Sequence, residues 1–109
     1  MNFEEYQKSA YQFAEYEDRI YPVLGLAEEV GELTTFFAKD KRGDYMFMDE
    51  EELVRRMRAA KKEVGDVLWM LAAICTDMNW SLDQIAMENI AKLTSRKLEN
   101  TIKGEGDDR

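Results

Sequence analysis

Three observations predict an all-α fold of four helices. Apolar residues recur at spacings of three and four over most of the 109 positions. One proline and six glycines are too few for a turn-rich β protein. Three capping pairs, each an Asn, Asp or Ser followed three residues later by Glu or Gln, punctuate the chain.

Asn2 with Glu5 opens the first helix, and Phe3, Tyr6, Ala10, Phe13 and Ala14 form its apolar stripe. Tyr21-Pro22 ends it and begins the second, because proline suits a first helical turn and disfavours helix in the residue before it. The second helix runs to about residue 40, with Leu26, Val30, Leu33 and Phe37 as its stripe. Lys39 to Arg42 complement the C-terminal dipole, and Gly43 supplies the stop. Residues 41–48 form a loop, unusually apolar at Tyr45-Met46-Phe47-Met48, as though to fold over something.

Asp49 with Glu52 opens a third helix that reaches about residue 78. Its seam is Leu53, Met57, Ala60, Val64, Val67, Leu71 and Ile74. The stretch from Val67 to Cys75 is apolar nearly all round and is expected to be the buried spine. That is more apolar surface than one thin layer of partners can cover in so short a chain, so self-association is expected. Asn79-Trp80 turns the chain. Ser81 with Gln84 opens a fourth helix, which carries Leu82, Ile85, Ala86, Asn89, Ile90 and Leu93. One helical domain thus spans residues 1–102, and residues 103–109, without an apolar side chain, read as a flexible tail.

Apolar residues make up 45% of the chain and charged residues 35%, enough for a real core under a solvated surface. The net charge is −8, from 23 acids and 15 bases, with no histidine. Such a surface repels nucleic acid, so no nucleic-acid partner is expected. The lone Cys75 lies in an apolar run and reads as core, which fits a reducing cytosol and a cytoplasmic protein. A polar, acidic N-terminus argues against a signal peptide. The run Val67 to Cys75 is too short to span a bilayer, so no membrane partner is expected.

The chemistry lies in one phrase stated twice. Glu29-Val30-Gly31-Glu32 is answered by Glu63-Val64-Gly65-Asp66. Each copy sets two carboxylates three residues apart, on one helix face and one turn apart. Each also holds a glycine in a helix interior, at a cost of roughly 1 kcal/mol against alanine. The repeated cost points to two backbones that approach closely there. On a helical wheel Glu63 falls between Met70 and Ile74, and Asp66 beside Met70 and Ala73. Glu28, Glu29 and Glu32 cover about 100° of arc, with Gly25 and Phe36 among them. Carboxylates bordered by apolar groups are normally paired, protonated or metal-bound. The plain alternative is a solvated acidic face, since acid pairs at this spacing are common. The ligand types choose the metal. Without histidine, and with the one cysteine in the core, zinc and copper are poorly supplied. The Glu-x-x-His of ferritin-like di-iron proteins is absent. Oxygen-only ligation suits Mg²⁺, with Mn²⁺ as substitute.

Asn89, Lys92 and Arg96 share a face of the fourth helix. They read either as a phosphate clamp or as helix-end cations beside a boundary asparagine. Lys103 and Arg109 could extend a clamp, with Gly104 and Gly106 letting backbone amides approach phosphate. Tyr6, Gln7 and Tyr11 could stack on and hydrogen-bond a base, or form aromatic core with a surface glutamine.

At this point the chain resembles a known family. Leu24-Gly25-Leu26-Ala27-Glu28-Glu29-Val30-Gly31-Glu32-Leu33 and Glu63-Val64-Gly65-Asp66-Val67-Leu68-Trp69 look like the two-part signature of the MazG-like all-α nucleoside triphosphate pyrophosphatases, E-E-x-x-E then E-x-x-D. Glu5-Tyr6-Gln7, Asn89 to Leu93, Arg96 and Gly104 to Arg109 are similar to short members, so the likeness covers nearly the whole chain. The resemblance implies a helical bundle in a homodimer or homotetramer, with sites between subunits. It implies Mg²⁺ and hydrolysis of an NTP or dNTP to the monophosphate and pyrophosphate. By motif position, Glu29, Glu32, Glu63 and Asp66 would be the metal ligands, and Glu28 would support them or orient water. Asn89, Lys92 and Arg96 match positions expected to meet phosphate or sugar, and the tail could close on substrate. Two other classes stay open: a non-catalytic acidic helical bundle that binds a partner through Tyr45 to Met48, and a structural protein stabilised by Mg²⁺ or Ca²⁺.

Overall fold

A computed structural model describes residues 1–100; the tail expected at 103–109 lies outside the described residues. The architecture is all-α, with four helices in the expected order: α1 Phe3–Tyr11, α2 Ile20–Arg42, α3 Glu50–Asp77 and α4 Leu82–Leu98. Each of the three capping pairs starts a helix. Asn2 Oδ1 accepts from the Glu5 amide at 2.8 Å, Asp49 Oδ1 from Glu52 at 2.8 Å and Ser81 Oγ from Gln84 at 3.1 Å. Helix α2 has no side-chain cap on Arg19; Asp18 Oδ1 accepts from the Ile20 amide at 3.0 Å instead, and Pro22 lies buried in the first turn. Gly43 ends α2 in the left-handed region, at φ 86°, and the Gly43 and Asp44 amides donate to the carbonyls of Asp40 and Lys39.

Helices α2 and α3 form the main hairpin, α1 packs on α3, and α4 leans on α1 and on the end of α3. No contact joins α2 to α4 among the described residues. The core gathers Ala10, Ala72, Cys75 and Leu82, with Tyr6, Leu68 and Trp69 against it. Gln7 fastens this corner. Its amide nitrogen donates to Thr76 Oγ1 at 3.2 Å and to the Trp80 carbonyl at 2.8 Å, and its oxygen accepts from the Leu82 amide at 2.9 Å.

Several stripes are rotated from their expected positions. On α3 the buried residues are Ala60, Met70, Ala72, Ala73 and Cys75, while Met57 and Val64, assigned to the seam by spacing, stand 54% exposed. On α2, Val30 and Phe37 are exposed, and Gly25, Leu26, Glu29, Leu33 and Phe36 form the less exposed side. On α4, Leu82 and Arg96 are buried and Ile90 is 64% exposed, so the apolar stripe turns outward. A helix that is apolar on more than one side leaves the choice of inward face to its neighbours. Helix α1 also stops at Tyr11, so Phe13 and Ala14 belong to the connection and not to its stripe. The apolar loop splits. Tyr45 is buried against Phe36, with Arg56 over its ring, whereas Met46 and Phe47 are exposed.

Candidate metal centre

Glu29, Glu32 and Glu63 converge where α2 crosses α3, each offering an oxygen within 4.8 Å of the others. Their placement follows from the helix period. Glu29 is one turn beyond Gly25 on the inward side of α2, and Glu63 lies two turns before the buried Met70 on α3. Glu29 and Glu63 are half-buried and Glu32 is exposed. Oε2 of Glu29 and Oε2 of Glu63 are shielded from solvent and meet no hydrogen-bond donor. An ionised carboxylate in that position has lost water and gained nothing in exchange.

The electrostatics carry one sign. Charge repulsion from Glu63, then a hydrogen bond with it, burial, and the charges of Glu28 and Asp66 raise the Glu32 carboxyl above its ordinary 4.5. Glu63 is raised by its hydrogen bond with Glu29, then by burial and the charges of Glu29 and Asp66, against a lowering hydrogen bond from Glu32. Among the described residues the charges named for both groups are all acidic, and ion pairs such as Glu52 with Arg55 and Arg56 lie elsewhere. Two shielded oxygens without donors among like charges fit a divalent cation with oxygen ligands.

Asp66 does not join the 4.8 Å group. It lies one turn further along α3, half-buried, close enough to raise Glu32 and Glu63 and also the Tyr6 hydroxyl, which burial raises first. Glu28 faces a neighbouring cleft. The expectation that Gly31 and Gly65 mark a close approach of two backbones is overturned within the chain. A Cβ at either would meet nothing within 4 Å. The close approach is at Gly25, where a Cβ would stand 2.7 Å from Met70 Sδ. Gly25 sits one turn before Glu29, so the missing side chain draws α2 onto α3 beside the glutamates.

The second constellation is not brought to this cluster by helix packing. Asn89 is exposed, Lys92 half-buried and Arg96 buried, on a helix that does not touch α2. Gln7 is engaged at the α1–α4 corner, about 15 Å along α3 from Asp66. Lys103 and Arg109 lie outside the described residues.

Two clefts flank the glutamates. One, of about 430 Å³, is walled by Phe13, Tyr16, Tyr21 and Trp69 and edged by Glu15, Glu28 and Glu29. The other, of about 350 Å³, shares Phe13 and Trp69 and includes Tyr6 and Asp66. A larger cleft of about 760 Å³, along residues 49–58, holds none of the clustered carboxylates. Sequence reasoning missed the aromatic wall. By spacing Phe13 reads as part of the first helix's apolar stripe, and Tyr16 lies in a connection whose only signal is the density of aromatics between residues 11 and 21.

Four helices, no strand among the described residues, and a donor-poor glutamate cluster between two of them define an all-α protein with one concentrated acidic site. Residues 22–100 match the MazG nucleotide pyrophosphohydrolase domain, and the chain belongs to that family. It is 32% identical over 92 residues to the Gene 37 protein of Mycobacterium phage L5, covering 82% of this chain and 75% of that one. No solved structure matches. Among the described residues, no helix is long and apolar enough to cross a membrane.

Proposed function

We propose that this chain is a Mg²⁺-dependent nucleoside triphosphate pyrophosphohydrolase, converting an NTP or dNTP to the monophosphate and pyrophosphate in the cytoplasm. The observation that carries the reading is the pair of shielded, donorless oxygens on Glu29 and Glu63 inside an entirely acidic cluster. Glu29, Glu32 and Glu63 hold the cation, Asp66 joins them from one turn along α3, and Glu28 supports them from the cleft side. When bound, the cation neutralises phosphate charge and lowers the pKa of a water. A carboxylate of the cluster would take the proton of the water that attacks the α-phosphorus, with pyrophosphate as the leaving group. Asn89, Lys92 and Arg96 meet phosphate or sugar once a second copy packs on the outward stripe of α4, and Lys103 and Arg109 close from the tail. The functional unit is a homodimer or homotetramer.

The test is a panel of NTPs and dNTPs incubated with the purified protein and Mg²⁺. Monophosphate and pyrophosphate are expected, with loss of activity in EDTA and partial activity in Mn²⁺. Orthophosphate with a diphosphate, or no turnover of any nucleotide, would sink the reading.

A further inference from the structure

We propose that the aromatic cleft beside Glu29 takes the base of the nucleotide and favours cytosine and adenine, which present an amino group where uracil and thymine present a carbonyl. This rests on the reading of the glutamate cluster as the phosphate end of the site. Glu29 belongs both to that cluster and to the cleft's edge, so the two spaces are continuous. The cleft, at about 430 Å³, lies in the range of small-molecule sites. Phe13 and Trp69 line it, and base–aromatic stacking holds any base without choosing among them.

The wall is fixed before a ligand arrives. Tyr16 stacks on Tyr21 with ring centroids 5.5 Å apart. Its hydroxyl donates to Asp77 Oδ2 at 2.9 Å, and Tyr11 donates to Asp77 Oδ1 at 2.8 Å. The Tyr16 hydroxyl is therefore committed and does not offer its proton to a base carbonyl. The choice of base falls to the edge. Glu15 is exposed and an ionised carboxylate only accepts hydrogen bonds. It pairs with an exocyclic amino group and repels the carbonyl that uracil or thymine presents at the same place. Glu15 is a specificity residue and takes no part in the metal cluster.

The experiment reads binding apart from turnover. In a Trp80→Phe background, Trp69 emission is titrated with CMP, AMP, UMP and TMP at up to millimolar concentration with Mg²⁺ present. The amino-bearing monophosphates are expected to quench Trp69 at concentrations about tenfold below UMP and TMP. Glu15→Gln, whose amide can donate as well as accept, is expected to bring the two groups together. Equal affinities in the parent protein, a preference that survives Glu15→Gln, or no quenching by any monophosphate would each overturn the proposal. Pyrophosphate release is measured in parallel. Release without quenching defeats the base site and leaves the enzymatic reading standing. Quenching with the stated preference and no release does the opposite.

Discussion

Glu63 shows how a single side chain is caught between two demands. Its hydrogen bond with Glu29, its burial and the nearby charges all favour the protonated form, while a cation requires the ionised one. Without metal, Glu63→Gln keeps the shape and removes a charge. At neutral pH the variant is expected to melt at or above the parent temperature in EDTA. In saturating Mg²⁺ the order reverses, because the parent gains more from binding to the native state. The pH dependence follows from the direction of the shifts. Glu32 and Glu63 hold protons more tightly folded than unfolded, so their stabilising contribution is full below about 4.5 and is lost as pH rises through the raised values. The advantage of Glu63→Gln in EDTA should therefore be present at pH 7 and vanish near pH 4.5. Melting curves at both values, with and without Mg²⁺, check this, and a parent protein indifferent to Mg²⁺ would remove the metal centre. A second residue-scale expectation concerns Tyr16. Tyr16→Phe removes a hydroxyl that burial, then its bond to Asp77, fits to stay protonated. It should cost about 1 kcal/mol in urea unfolding, since Asp77 keeps Tyr11 as donor.

At the scale of elements, the hairpin of α2 and α3 brings the chemistry together, and Gly25 sets its spacing. Gly25→Ala gains roughly 1 kcal/mol in helix propensity. The added Cβ, however, would stand 2.7 Å from Met70 Sδ, so the Met70 side chain must shift at the edge of the aromatic cleft. Overpacking of that kind typically costs about 1–3 kcal/mol. The variant is expected to be net destabilised and to bind Mg²⁺ more weakly than wild type, because Glu29 is displaced with α2. Thermal melts and Mg²⁺ titration by calorimetry read the two effects. Much of this level was legible beforehand. The three capping pairs and Gly43 marked helix limits because they satisfy local backbone groups, which depend on neighbours in sequence alone. The inward faces were not, because α3 carries apolar residues all round, and only the positions of α1 and α2 pick out Met70 and Ala73 over Met57 and Val64.

For the whole molecule, apolar surface is left uncovered. The radius of gyration is 17.3 Å, against about 13 Å for a compact domain of this length. Ile85, Ile90, Leu93 and Leu98 line the outer side of α4, and Val30 and Phe37 stand exposed on α2, a helix that α4 does not reach. Exposed apolar positions on two helices are the kind of surface that a second copy of the chain would cover. Light scattering at micromolar concentration is expected to give a dimer or larger. Ile90→Asp should shift it toward monomer while far-UV circular dichroism keeps its helical signature. A monomeric parent protein would contradict the assembly and the clamp from α4 that depends on it.

Sequence by itself determined the helices, their caps, the acidic phrase and the family, because each is written in local spacing and residue type. Tertiary structure decided which acids meet. Glu29, Glu32 and Glu63 come within 4.8 Å and Asp66 stands a turn away. The cause is the crossing of α2 over α3 at Gly25, a contact between residues 45 positions apart that no local period encodes. It also decided that Gly31 and Gly65, which look alike in sequence, face open space. The aromatic wall of Tyr16, Tyr21 and Trp69 likewise exists only because Asp77, at the far end of α3, draws the connection between α1 and α2 back across the bundle.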